Sequence, residues 1–443
     1  MSTILIKNAT VVTMNLKREV FQGFLLIEDD RIKAIGKAAE SIKADRTIDA
    51  KGEWVIPGLI QPHIHLCQSL FRGQADDLEL LDWLKLKIWP LEGAHDPESL
   101  YISALLGIGE LFQNGTTSII DMETVHHTES AFEAIAQTGL RAISGKCMMD
   151  WGAEVPASLL EKTDRSIQES VDLLEKWHGK CGGRLNYAFT PRFAISCTEQ
   201  LLRQIGELAR RYKVKVHTHA SENQGEIALV ERERSMRNVR YFDHLGLAND
   251  DLVLAHCIWL DDRELEILRD RRVKVVHCPS SNLKLASGIA KVPDMLKRGI
   301  KVSLAADGAP CNNNMDPFNE MRLAALIQKP IYGSTSMPAQ TLFELATLGG
   351  ADAMGMSDQI GSLEPGKKAD LAMVNMHRLH CAPYEEANVY AQLVYQAKAA
   401  DVSLTMVDGR IVYEDGVLTT IDEEWVIKEA NRILKKVYQR AGL

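Results

Sequence analysis

Two histidines one residue apart, His63 and His65, stand in the stretch Gly58-Leu59-Ile60-Gln61-Pro62-His63-Ile64-His65-Leu66. Residues i and i+2 of a β-strand share a face, so a strand ending here can aim both imidazoles at one metal ion. On its own the pair is equally two histidines at a strand end with no metal. Further residues of metal-binding or proton-transfer type end other apolar runs: His219, His256 and Asp307, with Glu222 three positions beyond His219. Neutral imidazoles with a carboxylate suit a divalent ion of borderline softness, and a donor set that leaves room for water marks a catalytic rather than a structural site.

The elements that must position these residues can be read from the apolar pattern. The stretch from Trp54 to Ile60 is apolar enough to be a buried strand. Seven more β-branched runs follow, at 117–121, 141–146, 185–190, 214–219, 252–256, 273–277 and 301–307, with helical segments between them. Eight strands alternating with helices over roughly 300 residues predict a (β/α)8 barrel of the TIM type, whose active site lies at the C-terminal strand ends. His63, His65, His219, His256 and Asp307 all fall at such ends, which a chance scatter of thirteen histidines would not arrange.

Nearly the whole chain resembles the amidohydrolase superfamily, in the branch holding adenosine-type, guanine and s-triazine deaminases. The resemblance rests on Pro57-Gly58-Leu59-Ile60 before the histidine pair, His219-x-x-Glu222, Ala255-His256-Cys257, His277-Cys278-Pro279-Ser280-Ser281-Asn282 and Ala306-Asp307-Gly308. It implies one divalent metal ion, zinc in the first place and iron in the second, held by His63, His65, His219 and Asp307. Such an ion lowers the pKa of a bound water to about 7. In the roles the resemblance implies, Asp307 takes the water's proton and Glu222 protonates a ring nitrogen and then the departing amine. The conserved glutamate of zinc deaminases does this without being a ligand. His256 then holds the attacking hydroxide. His217 precedes His219 with strand spacing and is a second candidate ligand. Two-metal members of the superfamily carry a carboxylated lysine at the end of strand four. The sequence here is Phe189-Thr190-Pro191-Arg192-Phe193, so one metal is expected.

The substrate side gives two signals. Residues 71–78 through Trp83 and Glu92, and 307–314 through 320–323, resemble the deaminases of S-adenosylhomocysteine, methylthioadenosine and 5′-deoxyadenosine. There a glutamate placed like Glu92 binds the ribose diol and a tryptophan placed like Trp83 packs nearby. Residues 145–150, 190–197 and 221–223 instead resemble guanine deaminase, which implies that Arg192, Phe193 and Gln68 grip the base. Arg192 can donate to a purine nitrogen or carbonyl, and Phe193 can stack on the ring. Lys146 stands where an arginine would bind the carboxylate of S-adenosylhomocysteine, and it offers a point charge without the fork. Hydrolytic deamination of an aminopurine is therefore expected, with a 5′-modified adenosine ahead of guanine. An s-triazine amino- or chlorohydrolase is a further reading. Glu222 speaks for an amine, which needs a proton to leave, over chloride, which does not. A barrel that had lost catalysis and served in assembly would be expected to lack ligands that this chain keeps.

A chain of 443 residues, 46% hydrophobic and 25% charged, has the composition of a soluble globular protein, and a net charge of −9 argues against a nucleic-acid partner. There is no run of eighteen apolar residues, and the opening Met-Ser-Thr-Ile-Leu-Ile alternates like a strand rather than a signal peptide. The expectations are a cytoplasmic protein with no membrane partner, a small N-heterocyclic substrate and a homo-oligomeric state. Eight cysteines without a Cys-x-x-Cys read as reduced thiols. Residues 1–57 and 360–418 hold short strands with turn signals, neither with apolar surface enough for its own core. A small composite β-sandwich built from both, as in similar amidohydrolases, is expected, with the barrel over 58–359. A closing helix over 419–443 carries Val426, Ile427, Ala430, Ile433 and Leu434 on one face, for core packing or a subunit contact.

Overall fold

Apolar runs bounded by turns and helices become eight parallel strands: β1 (Leu59–His65), β2 (Thr116–Met122), β3 (Arg141–Gly145), β4 (Leu185–Pro191), β5 (Lys215–Ala220), β6 (Leu252–His256), β7 (Lys274–His277) and β8 (Lys301–Leu304). The computed structural model describes residues 2–39, 42–384 and 387–443. Each strand pairs in parallel with the next in chain order. The ring closes where Asp307 and Gly308 pair in parallel with Ile64 and His65. Strands buried on both faces need apolar side chains throughout. Ile60, Ile120, Ile143, Ala188, Val253, Val276 and Ala305 share one packed cluster, to which Met354, Met356 and Ile360 add from beyond the barrel strands.

Two details differ from the sequence reading. The run from Trp54 to Ile60 serves two sheets: Trp54–Pro57 belongs to the antiparallel sheet and β1 begins at Leu59. Gly58 turns the chain between them, and a Cβ there would sit 2.1 Å from Thr117 Oγ1, so only glycine fits. The run at 301–307 is likewise broken. β8 ends at Leu304, Ala306 N–H donates to Gln61 Oε1 at 2.9 Å, and Asp307 takes φ +69° before pairing with β1.

The second sheet takes Thr3–Val12, Val20–Glu28, Arg31–Gly36, Arg46–Asp49 and Trp54–Pro57 from before the barrel, and Leu371–Val374, Val402–Val407, Arg410–Glu414 and Val417–Leu418 from after it. The two contributions meet where Leu371–Val374 runs antiparallel to Trp54–Pro57. They cover a common core in which Ile6, Val11, Leu25 and Ile27 pack with Leu371, Met373, Leu404 and Met406. Neither set could bury enough apolar surface alone.

The C-terminal helix, Glu423–Ala441, starts at Asp422, whose carboxylate accepts from Trp425 N–H, and lies against the helix Pro97–Gln113. Its buried stripe is Val426, Ala430, Ile433 and Val437. Ile427, expected on that face, is 49% exposed. It stands one residue, about 100°, round the helix from Val426. Packing within the chain accounts for the stripe. No helix of the described residues is long and apolar enough to cross a membrane.

The barrel and the second sheet are joined by a buried ionic knot. Arg141, at the start of β3, donates to Asp370 at 2.6 and 2.9 Å and to Asp408 at 2.8 Å, and Lys368 also reaches Asp408 at 3.0 Å. Removing one member of a buried pair strands the other charges in a poor solvent for them. Arg141→Met is therefore predicted to lower stability by about 3–5 kcal/mol in chemical denaturation. A loss below about 1 kcal/mol would mean that water solvates these carboxylates.

Candidate active site

The strand ends deliver their polar side chains to one point. His63 Nε2 lies 3.2 Å and His65 Nε2 3.4 Å from Asp307 Oδ1, and His219 Nε2 lies 3.3 Å from His65 Nε2. All four residues are buried. Each imidazole is oriented by its other nitrogen. His65 Nδ1 is 2.8 Å from Met122 O and His219 Nδ1 is 2.8 Å from Arg192 O, so both Nδ1 atoms carry the proton and donate. His217 Nδ1 donates to Val253 O at 3.1 Å, so its Nε2 accepts from His63 Nδ1 at 2.8 Å. The Nε2 lone pairs of His63 and His65 are thereby turned toward Asp307, and that of His219 toward His65 Nε2. His217 has both nitrogens engaged and stands behind His63 instead of facing the site.

A divalent cation fits this arrangement. Tetrahedral coordination with metal–ligand bonds of about 2.0–2.2 Å sets neighbouring donors roughly 3.3–3.6 Å apart, close to the separations found. His63 Nε2 is buried without a hydrogen-bond partner among the described residues, although Asp307 Oδ1 is 3.2 Å away. A cation between them would satisfy both. Burial keeps His63 and His219 neutral, as ligands must be: His63 is pushed down to about 4 and His219 well below its ordinary value.

Two more groups border the same point. His256 Nδ1 is 2.8 Å from Asn282 Oδ1 and donates to it, leaving its Nε2 lone pair 3.6 Å from Glu222 Oε2 and 3.8 Å from Asp307 Oδ2. Its Nε2 is also within joint ligand reach of His63 and His219. Glu222 is buried just past β5, and burial pushes its carboxyl up to about 7. Asp307 Oδ2 accepts from Ser281 Oγ at 2.7 Å. Ser221, His256, Cys257 and Asp307 all have φ between +48° and +72°. Such left-handed backbone is uncommon outside glycine and gathers at functional sites.

On the substrate side, Leu80–Trp83, Leu84–Ile88 and Trp89–Gly93 run as one helix with a wider middle turn, and carry Trp83 and Glu92. The structure unites residues that the sequence reading had divided between two substrates. Arg192 is paired with Glu92 through both terminal guanidinium nitrogens, and Gln68 Nε2 donates to the same carboxylate at 2.8 Å. Among the described residues Arg192 keeps only Nε without a partner, and Gln68 only Oε1. The fork expected to grip a base is thus occupied by Glu92, and Glu92 is not a free acceptor. Phe193 stacks on His219, ring centroids 4.6 Å apart, which leaves its opposite face and its edge. Trp83 lies in an apolar cluster with Phe193, Trp89, Met122 and Cys147, and its Nε1 has no partner among the described residues. Lys146 is buried in an ion pair with Glu161 at 2.6 Å and has no fork or free charge to spare. His126 is half-buried, donating to Ser158 O at 2.9 Å, and His127 is exposed.

Residues 54–412 match the model of the amidohydrolase family. The chain belongs to the amidohydrolase family. It is 37% identical over 437 residues to a 5′-deoxyadenosine deaminase of Methanobrevibacter smithii, covering 98% of each chain. It is 37% identical over 432 residues to a 5-methylthioadenosine/S-adenosylhomocysteine deaminase of Bacillus cereus, covering 96% of this chain and 97% of that one. A solved adenosine deaminase from Xanthomonas campestris, with bound zinc, has a TM-score of 0.92 at 29% identity and covers 99% of each chain.

At this amidohydrolase site the sequence gives no sign of the role of Asn282, and shows His217 without the role it takes. Asn282 sits in a motif quoted for the resemblance, but its bond to His256 spans 26 residues and no spacing rule links them. His217 was visible through its strand spacing, yet which side of His63 it occupies depends on the neighbouring strand. His217→Leu, which removes the acceptor behind His63, is predicted to weaken metal binding by about 10–100-fold in chelator competition. Unchanged affinity would show that His63 needs no such support.

Proposed function

We propose that this chain is a metal-dependent aminohydrolase that hydrolytically deaminates an aminopurine, with a 5′-modified adenosine as the substrate class. 5′-Deoxyadenosine, methylthioadenosine and S-adenosylhomocysteine are its candidate forms. The observation that carries the reading is that His63 and His65 Nε2 meet Asp307 Oδ1, with His219 Nε2 beside His65 and the buried carboxyl of Glu222 just past the same strand as His219. The relatives of nearly equal length support the adenosine side; the Arg192–Glu92 pair engages the base-gripping group of the guanine reading and the diol-binding group of the adenosine reading alike.

In this reading His63, His65, His219 and Asp307 hold one divalent ion, zinc ahead of iron. Such an ion supplies hydroxide at neutral pH. Asp307 Oδ2 receives the proton that the water gives up. Because His256 is fixed with its proton on Nδ1, its Nε2 accepts a hydrogen bond from the attacking oxygen and steadies the adduct at the amine-bearing ring carbon. Glu222 delivers its proton to the ring nitrogen as that carbon becomes tetrahedral, the proton taken up by Asp307 passes to the amine, which leaves as ammonia, and the adduct's hydroxyl proton returns to Glu222 as the carbonyl forms. The net change is addition of water across the C=N bond and loss of ammonia. The buried walls formed by Phe193, Trp83 and Trp89 keep bulk water from the reacting centre.

The assay that tests this is ammonia release by metal-replete enzyme from 5′-deoxyadenosine, methylthioadenosine, S-adenosylhomocysteine, adenosine, guanine and melamine. The nucleosides should be preferred, and preference for guanine or melamine would contradict the assignment. Glu222→Gln should keep its metal and lose about 10²–10⁴-fold in turnover. Because Glu222 acts in its protonated form, kcat/KM should fall as pH rises past the point near 7 where it loses that proton. A rate flat from about pH 6 to about pH 9 would remove Glu222 from the acid role.

A further inference from the structure

Glu222 leaves β5 through Ser221, whose φ is +52°. Its backbone is held on both sides. Ser221 O accepts from Ile258 N–H at 2.9 Å and from Trp259 N–H at 3.1 Å, which ties the turn to the segment after β6. On the other side, Glu222 N–H donates to Glu226 Oε2 at 3.2 Å. Glu226 lies in the first turn of the helix Gln224–Arg234 and is completely buried. Its other oxygen, Oε1, accepts from Asn238 Nδ2, and Asn238 is itself completely buried at the start of the helix Asn238–His244.

A buried carboxyl is costly unless its bonds are worth more than its desolvation. Here burial pushes Glu226 up to about 8, so it is held in the fold as a neutral group. An apolar side chain could fill the same space, but it would leave the N–H of Glu222 buried and unpaired.

We infer that Glu226 is a positioning residue for the proton-transfer carboxyl of Glu222: it fixes the Ser221-Glu222 peptide, and so the place of the Glu222 side chain against His256 Nε2. The inference rests on the role given to Glu222 above. Freeing this N–H lets the peptide rotate about its remaining anchor at Ser221 O and carries the Glu222 carboxyl away from the reacting nitrogen. A misplacement of about 1 Å is worth on the order of 10²-fold in rate. Gln at this position can keep the bond, since its Oε1 accepts from Glu222 N–H while its amide donates to Asn238 Oδ1, which has no partner among the described residues.

The test uses metal-loaded full-length enzyme and 5′-deoxyadenosine, with kcat, KM and metal content measured for Glu226→Leu, Glu226→Gln, Glu222→Gln and the double variant Glu222→Gln/Glu226→Leu. Glu226→Leu should lose about 10–100-fold in kcat with KM and metal content unchanged, and Glu226→Gln should recover to within about threefold of the parent. Added to Glu222→Gln, Glu226→Leu should cost nothing further, because it acts only through the carboxyl already removed. A parental kcat for Glu226→Leu overturns the inference, and so does a full extra loss in the double variant, which is what a merely structural role produces. If Glu226→Leu does not fold, Asn238→Ala loosens the same carboxyl from outside and should lower kcat about tenfold; an unchanged kcat then overturns the inference. Normal turnover by Glu222→Gln would bring down the acid role of Glu222 and this inference together. An inactive Glu222→Gln beside a fully active Glu226→Leu would bring down this inference alone.

Discussion

Asp307 meets His63 and His65 because the residues that carry it close the barrel against β1. The parallel pairing of Asp307 and Gly308 with Ile64 and His65 is at once the last rung of the ring and the bond that sets a carboxylate 3.2 and 3.4 Å from two imidazoles. The other polar groups are hung from the same frame. β5 supplies His219 and, just past its end, Glu222; β6 supplies His256; and the carbonyls of Met122 and Arg192, at the end of β2 and just past β4, orient His65 and His219. A shift of the closing pair by one residue would turn Asp307 to the opposite face and undo the site.

Burial gives this constraint its chemical consequence. In a site closed to water an imidazole stays neutral and a carboxyl keeps its proton at a higher pH, so a cation becomes the natural partner for the first and a ring nitrogen for the second. Strand-end backbone in left-handed conformations at Ser221, His256, Cys257 and Asp307 is tolerated because each lies in a tightly bonded turn. The same logic separates the metal side from the substrate side. The Nδ1 atoms of His63, His65, His217, His219 and His256 are satisfied while His63 Nε2 has no partner among the described residues, whereas around Trp83, Gln68 and Arg192 single donor or acceptor atoms are left over within groups that are otherwise paired. These leftover atoms are suited to a polar heterocycle, which would complete a network the protein has already mostly built.

Much of this could be read in the chain because strand periodicity and His-x-His spacing are local. The eight barrel runs, their C-terminal histidines and the His219-x-x-Glu222 step needed only neighbours in sequence. Legibility ended where partners are far apart. Glu92 and Arg192 are 100 residues apart, so each was read as free for substrate, and each turned out to occupy the other. The breaks at Gly58 and at Ala305-Ala306 were hidden inside runs whose hydrophobicity is continuous, since parallel barrel strands and the adjoining sheet bury the same kind of side chain. Ile427 was placed on the wrong side of the last helix because apolar residues at i and i+1 fit a stripe equally well until the packing partner is known.

Crystallography of metal-loaded protein at the absorption edge of the bound element tests the proposed ligand set of His63, His65, His219 and Asp307. A single anomalous peak is expected about 2.0–2.2 Å from His63 Nε2, His65 Nε2, His219 Nε2 and an Asp307 carboxylate oxygen. A peak lying on another set of residues, a second peak of equal height in the same site, or no peak at stoichiometric metal would contradict it.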